Sequence, residues 1–197
     1  MPQPSSQPAV ERISFAIYFA PALITLLVGT NRPNSRARRV AALYAPLLHA
    51  LGAKTQFLDL ADLPADVLEG ALYHNTGKHA AFNRLAARLD ASDKVVFFVP
   101  EYNCSFPGAL KLFIDGLPYR GGLRGKKAAL VGLGTGSQGG GPALSHLTDV
   151  LMYLDAAVLP QRVRLPFIDK ELATEGQLAT PLLGQLLREQ AAALLAF

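Results

Sequence analysis

Apolar positions along the chain follow two alternating rhythms. Short, mostly apolar runs, of the kind needed by a strand buried on both faces, occur at residues 23–28, 95–99 and 127–132. A shorter run covers residues 55–58, and a fifth, at residues 158–165, is broken by Pro160. Between these runs apolar residues recur every three or four positions, the stripe of a helix lying on a core. The first stripe is Val40, Tyr44, Leu47, Leu48 and Leu51, with Gly52 placed to end the helix. The next are Phe82, Leu85, Ala86 and Leu89, then Leu110, Phe113, Ile114 and Leu117, then Leu144, Leu147, Leu151 and Leu154. Leu182, Leu183, Leu186, Leu187 and Leu194 predict a closing helix, and residues 60–78 read as loop.

Strands alternating with helices five times over predict a parallel α/β sheet covered on both faces, because each parallel connection needs a crossover. Right-handed crossovers restrict the topology. Five strands fit a flavodoxin-like sheet of order 2-1-3-4-5, spanning residues 22–197, better than a six-stranded dinucleotide fold. Ligands of such sheets lie beyond the carboxyl ends of the strands where strand order reverses, here between strands 1 and 3.

The loops at that edge carry the unusual chemistry. Residues 29–39, GTNRPNSRARR, bring a glycine, hydroxyls, amides and four arginines to a helix start. Free amides there attract anions. Arg36, Arg38 and Arg39 occupy turns where the helix dipole disfavours cations by a few tenths of a kcal/mol each. A bound phosphate would reverse that sign. The alternative is a solvated arginine face capped by Asn34 or Ser35, with Arg38 and Arg39 pointing to solvent.

After the third strand, Pro100 leads the chain out, Ser105 is placed to cap the next helix and Pro107 suits its first turn. Glu101, Tyr102, Asn103 and Cys104 form the connection between them. Such a strip suits a flat heteroaromatic ring held by main-chain hydrogen bonds, and equally a simple capped turn. A third loop, residues 132–141, is GLGTGSQGGG. Gly134, Gly136 and Gly139 match the dinucleotide fingerprint, with Asp155 at suitable spacing. Too little chain follows to complete a two-half dinucleotide fold, so a flexible loop lining a flat ligand is the better reading.

Composition narrows the function classes. Half of the residues are hydrophobic and 17% are charged, which supports a large core and excludes a disordered chain. The net charge of +4, without a Lys/Arg block, argues weakly for an anionic ligand and against a nucleic-acid partner. The single cysteine excludes an internal disulfide and a cysteine-rich zinc site, and it fits a reducing compartment. His49, His74, His79 and His146 show no metal-ligand spacing, and no metal is expected. Residues 13–28 are nearly continuously apolar, but Pro21 interrupts a run already short for a membrane span. We expect a cytoplasmic protein with a flexible extension over residues 1–21 and no membrane association; a targeting role for that extension is the alternative.

These motifs together resemble the NADPH-dependent FMN reductase family, a flavodoxin-like group that includes azo-dye, quinone and chromate reductases. Gly29, Thr30, Arg32 and Ser35 meet its G-[ST]-x-R-x-x-S pattern. Pro100, Glu101, Tyr102, Asn103, Ser105, Pro107, Gly108, Leu110 and Lys111 meet P-E-Y-N-x-S-x-P-G-x-L-K in full. The resemblance implies non-covalent FMN, its phosphate held by Thr30, Arg32 and Ser35. Pro100, Glu101, Tyr102 and Asn103 would run beside the flavin ring, with Gly134, Thr135 and Gly136 at its other edge. It also implies NADPH or NADH as co-substrate, a small-molecule electron acceptor, ping-pong exchange without a catalytic side chain, and a homodimer or homotetramer. Many members carry asparagine where Ala37 stands, so Arg36 is a candidate replacement contact. Many carry tryptophan where Gly116 stands, which puts the subunit contact or substrate pocket in question. The helices bearing Phe113 and Leu147 are the candidate contact surfaces. A flavodoxin-type electron carrier and a flavin-binding module without reductase activity are the competing readings.

Overall fold

A computed structural model describes residues 22–119, 121–173 and 175–197; the extension expected over residues 1–21 lies outside the described residues. The apolar runs form strands. β1 (Leu23–Val28) is buried from Ile24 onward and β3 (Lys94–Pro100) from Val95 to Val99. With β2 (Lys54–Asp59) and β4 (Lys127–Leu133) they make a parallel sheet of order β2-β1-β3-β4-β5. Strand order therefore reverses between β1 and β3, as the alternation predicts.

The fifth position is shared by two short pieces. β5 (Ala157–Val158) pairs with Lys127 and Ala128, and β6 (Val163–Leu165) pairs with Val131, Gly132 and Leu133. Pro160 lies in the gap, as expected for a residue that cannot donate to a ladder. A buried amide fills that gap. Gln190, fully buried, donates to the Leu130 carbonyl at 3.0 Å and to the Gln161 carbonyl at 2.8 Å, and it accepts from the Tyr44 hydroxyl at 3.3 Å.

Alternate strand residues feed two cores. Ile24, Leu26, Val96 and Phe98 face α1 (Arg36–Ala50) and α7 (Pro181–Ala196). Leu27, Val95, Phe97 and Val99 face α3 (Ala80–Asp90), α4 (Gly108–Gly116) and α5 (Gly141–Tyr153). Leu51 ends α1 and Gly52 follows at φ +82°. Residues 60–78 hold short turns, among them α2 (Val67–Gly70). One more short helix, α6 (Ile168–Glu171), follows β6.

Several sequence expectations need correcting. Leu182 is 59% exposed, because α7 turns Leu187, Ala191 and Leu194 inward instead. Phe113, Leu147 and Leu151 are core residues, so a subunit contact through α4 and α5 would use the other faces of those helices. Gly116 is buried, and a Cβ there would lie 2.5 Å from the Phe82 ring. Phe82 thus occupies the room that a side chain at position 116 would need. No helix among the described residues is long and apolar enough to cross a membrane.

Candidate functional site

The carboxyl ends of β1, β3 and β4 deliver three loops to one edge of the sheet. In the first, the Gly29 amide donates to the Phe98 carbonyl at 2.9 Å, tying the loop to the neighbouring strand. Thr30 is buried; its hydroxyl lies 2.7 Å from the Tyr102 hydroxyl and accepts from the Arg32 amide at 3.4 Å. Ser35, not Asn34, is the N-cap of α1, and its Oγ accepts from the Arg38 amide at 3.1 Å. Arg36 and Ala37 carry first-turn amides that no carbonyl of their own helix can reach.

The arginines of this loop have different environments. Arg36 forms an ion pair with Asp169. Arg38 lies 3.6 Å from the Asp59 carboxylate and 3.7 Å over the Phe57 ring, and Arg39 donates to the Leu172 carbonyl at 2.7 Å. Arg39 is exposed as expected and Arg38 is half-buried; the segment after β6 and the end of β2 nevertheless supply partners that local sequence does not show. Burial raises the Asp59 carboxyl above its ordinary range, opposed by the Ala61 amide that donates to it. Arg32 has neither ion pair nor side-chain hydrogen bond among the described residues.

The second loop is a tight hairpin. The Tyr102 and Ser105 amides and carbonyls exchange bonds of 2.8 and 3.0 Å. Asn103 and Cys104 fill its centre at φ 48° and 63°, the double left-handed turn that favours asparagine. Ser105 does not cap the next helix. Pro107 holds the N-cap position of α4 without a side-chain bond, and Ser105 Oγ lies 3.0 Å from His146 Nδ1 of α5. Closing the hairpin places Ser105 too early to reach the first turn. The Glu101 amide donates to the Leu133 carbonyl at 2.8 Å, while its Oε2 is buried with no hydrogen-bond partner.

The third loop is joined to the segment that follows β6. The Ile168 amide donates to the Gly134 carbonyl at 3.0 Å, and the Phe167 amide to the Gly136 carbonyl at 3.1 Å.

These loops enclose a cavity of about 520 Å³, within the usual range of about 300–1,000 Å³ for small-ligand sites. Its wall holds Thr30, Arg32, Ser35, Arg36, Pro100, Glu101, Tyr102, Gly134 and Thr135. Asn103 and Gly136, named from the sequence with them, lie outside that wall. The sequence reading did not name Pro33, Asn34, Arg39, Leu133 or Ile168 as ligand contacts, and saw Ala37 only as a departure. Leu133 closes the strand before the glycine loop, a position the strand pattern could have pointed to. Ile168 comes from α6 and has no local signal.

The loops bring different chemistry to the cavity. The β1–α1 loop contributes first-turn amides, a serine and arginines, which suits a phosphate. The β3 loop contributes Tyr102, whose hydroxyl meets Thr30 of the first loop, and the orphaned Glu101 oxygen, which needs a donor such as a ring N–H. A second cavity, of about 580 Å³, lies along α4 and α5 and is lined by Ile114, Leu117, Val150 and Leu154. Its lysine, Lys111, is bound to Asp115 at 2.7 Å, so it offers no comparable anion cradle.

The chain is similar to proteins of known type. The profile of the family described as NADPH-dependent FMN reductase matches residues 22–168. An NAD(P)H-dependent FMN reductase of Pseudomonas aeruginosa is 30% identical over 140 residues, 70% of this chain and 76% of that protein. A quinone reductase of Escherichia coli is 30% identical over 138 residues, 69% of this chain and 72% of that one. Among solved structures, a flavoenzyme NAD(P)H:(acceptor) oxidoreductase from Paracoccus denitrificans shares the fold at a TM-score of 0.73 and 23% identity, covering 89% of this chain and 96% of that chain.

Proposed function

Because the chain belongs to the NADPH-dependent FMN reductase family, we propose that it is an oxidoreductase that holds FMN in the cavity between the β1, β3 and β4 loops, takes a hydride from NAD(P)H and passes electrons to a small acceptor. The observation that carries this reading is the cavity at the β1/β3 reversal, which joins the arginine- and amide-rich start of α1 to the loops after β3 and β4. Bound FMN supplies the redox chemistry, and the chain's residues bind and orient it. Arg32, Ser35, Arg36 and the first amides of α1 hold the phosphate, with Thr30 fixing the loop through Tyr102. Pro100, Glu101, Tyr102, Gly134 and Thr135 flank the ring, with Asn103 shaping the turn and Gly136 anchoring the glycine loop.

The name of the Escherichia coli relative supports a quinone as acceptor class; an azo compound, a free flavin or a metal oxyanion would use the same open face. Because both substrates meet one ring, exchange is ping-pong. Double-reciprocal plots against NADPH at several quinone concentrations are expected to be parallel, and intersecting lines contradict the shared site. The single cysteine supports a reducing, cytoplasmic setting. The apolar groove along α4 and α5, with Met152 and Tyr153 exposed beside it, supports a homodimer or homotetramer.

Glu101 holds the ring edge and donates no proton to the reacting atom. Its amide bonds to Leu133, and its orphaned oxygen is an acceptor in a wall that also carries Tyr102. Glu101→Gln keeps an acceptor there. Its anaerobic reduction rate at saturating FMN is expected to stay near that of the unaltered protein, with weaker flavin binding. A thousandfold loss, about 4 kcal/mol of transition-state stabilisation, would show that the carboxylate takes part in the chemistry.

A further inference from the structure

Arg36 opens α1 and lines the cavity. Its Nε faces Oδ1 of Asp169, and about half of each side chain is exposed. Asp169 is anchored through its neighbours. Next to it, Ile168 forms part of the cavity wall and bonds the Gly134 carbonyl, while Arg39 donates to the Leu172 carbonyl from the α1 side. Glu171, buried, accepts from the Thr180 amide at 2.9 Å and from its hydroxyl at 2.7 Å, which fixes the far end of the segment. The chain thus holds a carboxylate at the rim of a site whose other features favour an anion.

We propose that Asp169 sets the affinity and exchange of the bound phosphate by neutralising Arg36 at the cavity rim. This rests on the reading above that the FMN phosphate lies at the start of α1. A phosphate monoester carries about −1.5 to −2 charges near pH 7, so a fixed carboxylate beside Arg36 opposes its arrival. The ion pair is made through Nε, and a guanidinium has five N–H donors, more than one carboxylate oxygen can use. Arg36 is therefore oriented by Asp169 and electrostatically weakened by it at once. The consequence is a flavin that is held specifically yet leaves more readily than the arginine content of the loop alone would allow.

Asp169→Asn separates the two effects, because the amide oxygen still accepts from Nε while the charge is gone. The position is half-exposed, so the amide is readily accommodated. Protein freed of flavin is titrated with FMN and with riboflavin, followed by flavin fluorescence. Asp169→Asn is expected to bind FMN about three- to fivefold more tightly at low salt, with riboflavin unchanged. The gain is expected to shrink at about 0.5 M salt, where charges are screened within a few ångströms. Asp169→Glu, which keeps the charge, is expected to bind FMN like the unaltered protein. An unchanged or lower FMN-to-riboflavin ratio in Asp169→Asn overturns the inference while the phosphate site stands. Loss of the FMN preference in the unaltered protein would instead remove the phosphate reading, and this inference with it.

Discussion

Replacing Arg32 with alanine is expected to weaken FMN by about tenfold to a hundredfold while leaving riboflavin within about twofold. Arg32 lines the cavity, and among the described residues its guanidinium has no competing partner. A hydrogen bond to a charged group contributes about 1.5–3 kcal/mol, and each 1.4 kcal/mol is about a factor of ten in affinity. Riboflavin lacks the phosphate and so does not register the loss. Ser35 is a poorer probe, because its Oγ already caps α1 through Arg38. Removing it would cost about 1 kcal/mol of helix stability before any ligand is considered. Equal losses for FMN and riboflavin in Arg32→Ala would place the phosphate elsewhere.

The largest effect on folding is expected at Gly140. This residue stands before α5 at φ +83°, and a Cβ there would lie 2.6 Å from the Leu133 amide nitrogen and 2.8 Å from Gly132 Cα. Both obstacles are backbone of β4, so no side chain can swing aside. The left-handed conformation adds about 1–2 kcal/mol for a residue with a Cβ. Gly140→Ala is therefore expected to lose about 3 kcal/mol or more, a fall in Tm of roughly 6–12 °C for a domain of this size. Gly136→Ala serves as the control, since nothing lies within 4 Å of its added Cβ; it is expected to stay within about 0.5 kcal/mol. Equal melting temperatures for the two variants would contradict the close packing of the glycine loop on β4.

Much of this architecture is visible in the chain because burial on both faces imposes unbroken apolar runs. The interruption at Pro160 is equally visible, since proline cannot donate to a ladder. Its repair is not. Nothing local marks Gln190, whose amide binds two carbonyls at the gap in the fifth strand. Ser105 misled for a related reason. A serine shortly before a helix looks like a cap, but the left-handed pair Asn103 and Cys104 folds it into a hairpin first. The site shows the same division. Residues that follow β1, β3 and β4 directly could be named, because strand ends converge by topology. Ile168 reaches the cavity, and Asp169 reaches Arg36, only because the chain returns past the glycine loop after β6, a tertiary fact without a local pattern. Nor does the sequence around Gly116 show that the Phe82 ring fills the space beside it.

Rapid mixing of the FMN-loaded protein with NADPH in the absence of oxygen, followed at the flavin absorption band, tests the central claim most directly. The account predicts that the flavin bleaches in a single turnover, and that adding a quinone to the reduced protein restores the oxidised spectrum without further NADPH. A flavin that binds but stays oxidised after prolonged exposure to NADPH and NADH would contradict it, and would leave an electron carrier or a flavin-binding module in its place.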